Sequence, residues 1–436
     1  MDIHSADELN HKDAIMPLDA LSVIAGAILV FTFCLFCWAC YEFYTAVPPT
    51  INQKWLFRVV FIMFKVNRFI AHILTFFRVF GSTMEENMAA FTDWMLPECI
   101  MDDEHVSTTL QNFNGIPVRV HRPKKVTLDS GLLPALVYFH GGGFVYGSSA
   151  SFHPFTRRLC ESLQSVVVSV DYRLAPAHLF PVAVDDSREA TKWLLLNGPT
   201  LNVDPRRIGV AGDSAGGLLA AAVAKQILDD PLIPNLKLQV LFYPALQLLN
   251  VGSPSHIIYD AHFNTHGGML TRREAVSYLA TYILGKSPDY EAFVDLVSSN
   301  SVITPETNPQ HVKYVDDNLV PDHLRNGMDL GKTKESLNNN PELLEKYGHF
   351  FEDPRLSPVI AESMDGLPTA YVVTGDNDCL RDDGVFYVKR LEAAGVSAHW
   401  VNYEGGFHGM LPIVFNFFEV GLKAENDFVE FARGFL

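Results

Sequence analysis

Residues 208–216 read Ile208-Gly209-Val210-Ala211-Gly212-Asp213-Ser214-Ala215-Gly216. An apolar, β-type run leads into a G-x-S-x-G pentapeptide, and small helix-forming residues, Ala215 to Ala224, lead out of it. The pentapeptide alone is a weak signal, since a Gly/Ser turn can spell it; the strand before and the helix after make it specific. So tight a turn strains the serine backbone and holds its hydroxyl above the sheet, with glycines where side chains would clash. The following helix aims its positive end at the point where an attacked carbonyl develops charge. Ser214 is therefore the candidate nucleophile.

The same rhythm repeats on either side. β-type runs at Val118–His121, Ala135–Phe139, Val166–Asp171, Arg207–Ala211, Leu238–Tyr243, Thr369–Thr374 and Ala398–Tyr403 alternate with helical patterns. The helical patterns are Phe155–Leu163, Val182–Leu196, Ala215–Leu228, Asp383–Ala394 and Phe415–Phe435. Strands alternating with helices predict the α/β class, a mostly parallel sheet with helices on both faces. The rhythm breaks from about 247 to 365. An insertion that long is expected to be a helical cap over a functional site.

His140-Gly141-Gly142-Gly143 directly follows the run Ala135–Phe139. Consecutive glycines let backbone N–H groups converge on one point, as an oxyanion hole requires, and the N–H of Ala215 would complete it. The alternatives are a flexible glycine turn or a phosphate loop, and the Lys-Ser/Thr that a phosphate loop requires does not follow. His140 itself is expected to be structural. A serine nucleophile needs a base, and the base a carboxylate to orient it. Glycines bracket His408 in Glu404-Gly405-Gly406-Phe407-His408-Gly409, just after a β-type run, whereas His399 and His349 read as structural. Asp376, Asp378, Asp382 and Asp383 all lie after Thr369–Thr374, and spacing does not choose among them. The order serine, aspartate, histidine is that of α/β hydrolases.

Together with Asp171-Tyr172-Arg173-Leu174-Ala175-Pro176 and Asp378-Cys379-Leu380-Arg381-Asp382-Asp383-Gly384, these motifs resemble the hormone-sensitive-lipase branch of the α/β hydrolases. Gly406-Phe407-His408-Gly409 and the amino-terminal run described next add a resemblance to the arylacetamide deacetylase-like proteins, over roughly residues 20 to 436. The resemblance implies an α/β-hydrolase fold with Ser214 as nucleophile, His408 as general base and acid, and Asp378 as its orienting carboxylate. It implies Gly141, Gly142 and Ala215 as oxyanion donors, with His140, Gly143 and Asp213 in supporting places, and no metal or cofactor. It further implies hydrolysis of carboxylic esters, and of some aryl amides, of lipophilic acids. Family members of this kind sit on the endoplasmic reticulum with the catalytic domain in the lumen. Cys379, beside the orienting aspartate, would make such a site sensitive to thiol reagents.

The chain has 436 residues and a formal charge of −17, yet a mean hydropathy of +0.11. Fifty acidic against 33 basic residues exclude a nucleic-acid partner, and 12% aromatic content excludes a disordered acidic chain. Nearly all the net hydropathy lies in one uncharged run of 22 residues, Ala20–Tyr41. That length crosses a bilayer core as a helix. Between Ile51 and Phe80 there are five Lys/Arg and no acid. Lys54, Arg58, Lys65, Arg68 and His72 fall within about 80° of one another on a helix, with Phe57, Ile62, Phe69, Ile73 and Phe76 set along and beside that stripe. This predicts a basic amphipathic helix, lying at a membrane interface, lidding a greasy pocket or simply packed on the domain.

The expected organisation is a tail (1–19), a single-pass type II anchor (20–41), a linker with amphipathic cap or interfacial helices (42–112) and the hydrolase domain (113–436). The bases after the anchor would put the domain in the cytosol by the positive-inside rule; the resemblance puts it in the lumen, and the lumen is the expectation. The expected partners are a lipophilic ester or amide and membrane lipid; oligomeric state is left open. Two other readings stand beside the esterase: a neutral-lipid or sterol-ester hydrolase with the same chemistry, and a catalytically silent ligand-binding protein on the same fold.

Overall fold

The computed structural model describes residues 32, 47–77, 103–124, 131–263, 269–303, 307–325, 340–411 and 418–436. The strands among them are β1 Val106–Phe113, β2 Ile116–Pro123, β3 Leu133–Phe139, β4 Val166–Val170, β5 Val203–Asp213, β6 Leu238–Phe242, β7 Thr369–Asn377 and β8 Ala398–Phe407. They form one sheet in the order β1-β2-β4-β3-β5-β6-β7-β8. β2 runs antiparallel to both β1 and β4, and every other neighbouring pair is parallel. β3, β4 and β6 are buried at every residue, as parallel strands covered on both faces must be.

Strand periodicity sorts the core into two layers. On β3, Ala135, Val137 and Phe139 face one layer, with helices α3 (Val182–Asn197), α4 (Ala215–Leu228) and α10 (Arg381–Ala393). Leu136 and Tyr138 face the other, with α2 (His153–Leu163), α11 (Glu419–Ala432) and α1 (Lys54–Phe77). Between β6 and β7 come α5 (Pro254–Phe263), α6 (Arg272–Leu284), α7 (Tyr290–Ser298), α8 (Pro309–Tyr314) and α9 (Pro341–Phe351). These helices occupy the expected insertion at 247–365. A capping box, Thr271 with Glu274, starts α6.

The structure departs from the sequence expectations in three respects: an extra strand, the ends of several strands and the faces of one helix. β1 lies inside the stretch expected to be linker and amphipathic helices; it pairs with β2 through a two-residue turn whose Asn114 and Gly115 have φ of 53° and 95°. Asn-Gly is the strongest short hairpin signal, because both turn residues need positive φ. β5, β7 and β8 run further than expected, to Asp213, Asn377 and Phe407, and so deliver the residues that follow them directly. Helix α1 does not turn its phenylalanines and isoleucines one way: Phe57 is buried while Ile62, Ile73 and Phe76 are exposed, and Lys65 is buried. The anchor run 20–41 lies outside the described residues except for Thr32. Among the described residues no helix is long and apolar enough to cross a membrane. The chain divides at Tyr44/Thr45 into two units, and all the elements above belong to the second.

Candidate active site

Three parallel strands end at the site. β5 stops at Asp213, β7 at Asn377 and β8 at Phe407, and the next residues are Ser214, Asp378 and His408. Carboxyl ends of strands are where open α/β sheets bind ligands. His408 Nε2 lies 2.9 Å from Ser214 Oγ, and His408 Nδ1 lies 3.0 Å from Asp378 Oδ2. Asp378 is buried, and its other oxygen accepts the Leu380 N–H at 2.8 Å. A carboxylate held this way accepts a hydrogen bond from Nδ1–H, which assigns the tautomer that leaves the Nε2 lone pair facing the serine. The arrangement can take a proton from Ser214 and return it to a leaving group.

Ser214 has φ 54° and ψ −120°, an unfavourable backbone for a residue with a Cβ. Close packing holds it there. A Cβ on Gly216 would collide with the Phe139 carbonyl, so the first turn of α4 presses directly on the end of β3. The orphan amides at the start of α4 include that of Ala215, beside the serine.

The glycine loop after β3 is held differently from the expectation. Gly141 N–H donates to Asp213 Oδ1 at 2.8 Å, and Tyr138 Oη donates to the same oxygen at 2.7 Å. A committed amide cannot also hold an oxyanion, so Gly141 is a bracing residue and not an oxyanion donor. Among the described residues the N–H groups of Gly142 and Gly143 make no hydrogen bond. Gly143 has φ 61°, and a Cβ there would strike Tyr278 of α6, so the cap helix lies directly over the loop. His140 is buried; it stacks on Tyr172 at 4.3 Å, and its carbonyl accepts the Tyr172 hydroxyl at 2.6 Å. Burial lowers the basicity of its ring. Asp171, from the motif after β4, accepts the Ser149 N–H at 2.6 Å and so closes the far end of the loop.

The remaining candidate carboxylates are engaged elsewhere. Asp376 accepts from Asn377 Nδ2 at 2.7 Å. Asp382 pairs with Arg381 at 2.8 Å, both buried, and accepts the Ser255 N–H at 2.7 Å. Asp383 accepts the Leu246 N–H and Gln247 Nε2, both at 2.8 Å; burial pushes its carboxyl up to about 7 against those two donors. Exposed His399 stacks on Tyr371 and Phe431, and the ring of exposed His349 lies tilted against Phe350. Cys379 is fully buried, its thiol donates to the Leu270 carbonyl at 3.3 Å, and burial holds its pKa well above the usual range. It is a packed thiol, contrary to the expected sensitivity to thiol reagents.

Sequence reasoning missed Tyr138, Tyr172, Ser255 and Tyr243. The first two brace the glycine loop after β3. Ser255 Oγ donates to the Cys379 carbonyl at 2.7 Å and so ties the start of α5 to the turn carrying Asp378. Tyr243, at φ 37°, sets its ring edge-on to His408 at 5.0 Å. No local motif marks Tyr138, Ser255 or Tyr243, since each acts on residues far away in the chain; Tyr172 lies within the Asp171–Pro176 motif, which gave it no role.

Residues 136–313 and 333–412 match a protein family described as the α/β hydrolase fold. The chain is 35% identical to arylacetamide deacetylase of Oryctolagus cuniculus over 408 residues, covering 90% of this chain and 96% of that protein. It is 30% identical to neutral cholesterol ester hydrolase 1 of Bos taurus over 404 residues, covering 90% and 95%. Among solved structures, an esterase of Pyrobaculum calidifontis aligns at a TM-score of 0.56 and 30% identity, over 80% of this chain and 90% of that one.

Proposed function

The chain belongs to the arylacetamide deacetylase-like carboxylic ester hydrolases of the α/β hydrolase fold, and from that premise we propose that it cleaves esters of lipophilic acids through an acyl-enzyme on Ser214. His408 Nε2 takes the Ser214 proton as Oγ attacks the carbonyl carbon. The N–H groups of Gly142, Gly143 and Ala215 hold the oxygen as it becomes negative. Collapse breaks the bond to the alcohol, which leaves with the proton from His408. Water then attacks the acyl-enzyme by the same route, giving up its proton to His408, and the acid departs as Ser214 recovers its hydrogen. Asp378 keeps the ring in register and stabilises the imidazolium. Aryl amides are a further substrate, since an amine needs only the same protonation to leave.

The observation that carries this reading is the 2.9 Å contact between His408 Nε2 and Ser214 Oγ, with Asp378 behind it. A fluorophosphonate probe tests it. Wild type should label, and Ser214→Ala should lose both labelling and turnover, by roughly 10⁴–10⁶-fold. No labelling of wild type would sink the esterase mechanism and favour a silent binding protein, and undiminished labelling of the alanine variant would sink it by placing the reactive group elsewhere. Sterol esters are a second substrate reading, favoured by the similarity to neutral cholesterol ester hydrolase 1. Comparing turnover of short aryl esters with cholesteryl esters separates the two. The same proposal takes the uncharged run Ala20–Tyr41 as a single-pass anchor, with the catalytic domain in the lumen of the endoplasmic reticulum. Its support is the length of that run and the resemblance.

A further inference from the structure

Helix α1 carries two apolar faces. Phe57 and Phe61 turn inward, where Phe57 stacks on Phe61 at 4.1 Å and meets Phe407 edge-on at 5.1 Å. Trp55, Val59, Ile62, Val66, Ile73 and Phe76 are exposed, Trp55 to 71% and Phe76 to 82%. At 100° per residue these six fall within an arc of about 100°. A helix on the surface of a water-soluble domain presents polar residues on that side, and contiguous exposed apolar surface marks an interaction site.

We propose that this face lies in a lipid bilayer at the boundary between head groups and acyl chains, so that α1 docks the catalytic domain on the membrane that supplies its ester. The proposal rests on the esterase reading for its purpose, and on four observations for its occupant. The uncharged run Ala20–Tyr41 ends only twelve residues before Lys54, so a chain anchored there keeps α1 within reach of the same bilayer. Residues 54–77 include no acid, and Lys54 and Arg58 are exposed beside the apolar face, as anionic head groups favour. Among the described residues no helix, α1 included, is long and apolar enough to cross a membrane. Its inner face touches Phe407, the residue before His408, so the docked face and the catalytic loop share one support.

Bromine-quenching on the full chain tests this. The protein is placed in phosphatidylcholine/phosphatidylserine vesicles, with and without acyl-brominated phosphatidylcholine, as wild type and as Trp55→Phe. The emission lost on substitution reports Trp55 alone. That component should be quenched by the brominated chains and shielded from aqueous acrylamide. Quenching by acrylamide and not by bromine would overturn the proposal. Shielding from both would mean that a second copy of the chain, or residues 78–102, covers the face, and would overturn it too. A kinetic arm uses the triple variant Ile62→Asn, Ile73→Asn, Phe76→Asn. Its kcat/KM on a long-chain ester carried in vesicles should fall about tenfold, with less than about a twofold change on a short soluble ester. An equal loss on both esters would count against docking. If wild type hydrolyses neither ester, the esterase reading fails while the quenching arm still decides the placement of α1.

Discussion

Asp213 occupies the variable position of the serine pentapeptide, yet its carboxylate receives both the Tyr138 hydroxyl and the Gly141 amide. It is the post to which the oxyanion loop is tied. Burial raises its carboxyl from 3.8 to about 6, against the pull of those two donors. The native state therefore holds this proton more tightly than the unfolded chain. The cost of ionising Asp213 is absent below the unfolded value, grows as pH rises and is borne in full above about 6; it amounts to roughly 3 kcal/mol. Asp213→Asn keeps an oxygen for both donors and cannot ionise. Its stability gain over wild type should be larger at pH 8 than at pH 5, by roughly 1–2 kcal/mol. Thermal unfolding at the two pH values checks this, and an equal gain at both would refute it. Gly143→Ala tests the loop itself. The new methyl meets Tyr278 at a positive φ, and kcat should drop about 10²–10³-fold, as for the loss of one oxyanion donor. Unchanged kcat would remove Gly143 from the hole.

At the scale of elements, α1 is a structural part of the catalytic half and not an appendage. Phe57 is fully buried among Phe61, Phe263, Phe407 and Phe418. Phe57→Ala should cost about 3–5 kcal/mol in denaturant titration, and should lower kcat as the support of the His408 loop loosens. A change under about 1 kcal/mol would mean that the helix packs loosely. The periodic elements were legible in sequence, because buried parallel strands and their helices repeat every few residues. β1 was not recognised, since VSTTLQNF carries no strong apolar face, although Asn114-Gly115 signalled its hairpin. The inner face of α1 was equally hidden. An apolar pattern of helical period says which residues are apolar, not which of two apolar sides meets protein.

At the scale of the whole molecule, the helices inserted between β6 and β7 are fastened to the same turn that carries Asp378. Leu246 and Gln247 grip Asp383, and Ser255 grips Asp382 and the Cys379 carbonyl. A shift of those helices is thereby felt beside Asp378, and Tyr278 brings one of them over Gly143. The acidic charge of the chain, set against the basic helix, suits a domain that meets lipid through one edge. The lumenal placement predicts that in sealed microsomes an added protease leaves residues 45–436 intact until detergent is present. Digestion without detergent would refute it and support the positive-inside side instead.

Ser214, His408, the glycine loop and the alternating α/β order are written in contiguous residues, because a tight strand-to-helix turn and converging amides need particular residues side by side. The family resemblance then selected Asp378 from four nearby aspartates. Only the tertiary structure decided which amide is spent on Asp213, which carboxylates belong to the cap, and that Cys379 is sealed. Those outcomes depend on pairs such as Asp213 with Gly141, or Asp383 with Gln247, set far apart in the chain. Close packing and the cost of leaving a buried polar group unpaired choose such partners, and no local pattern records them.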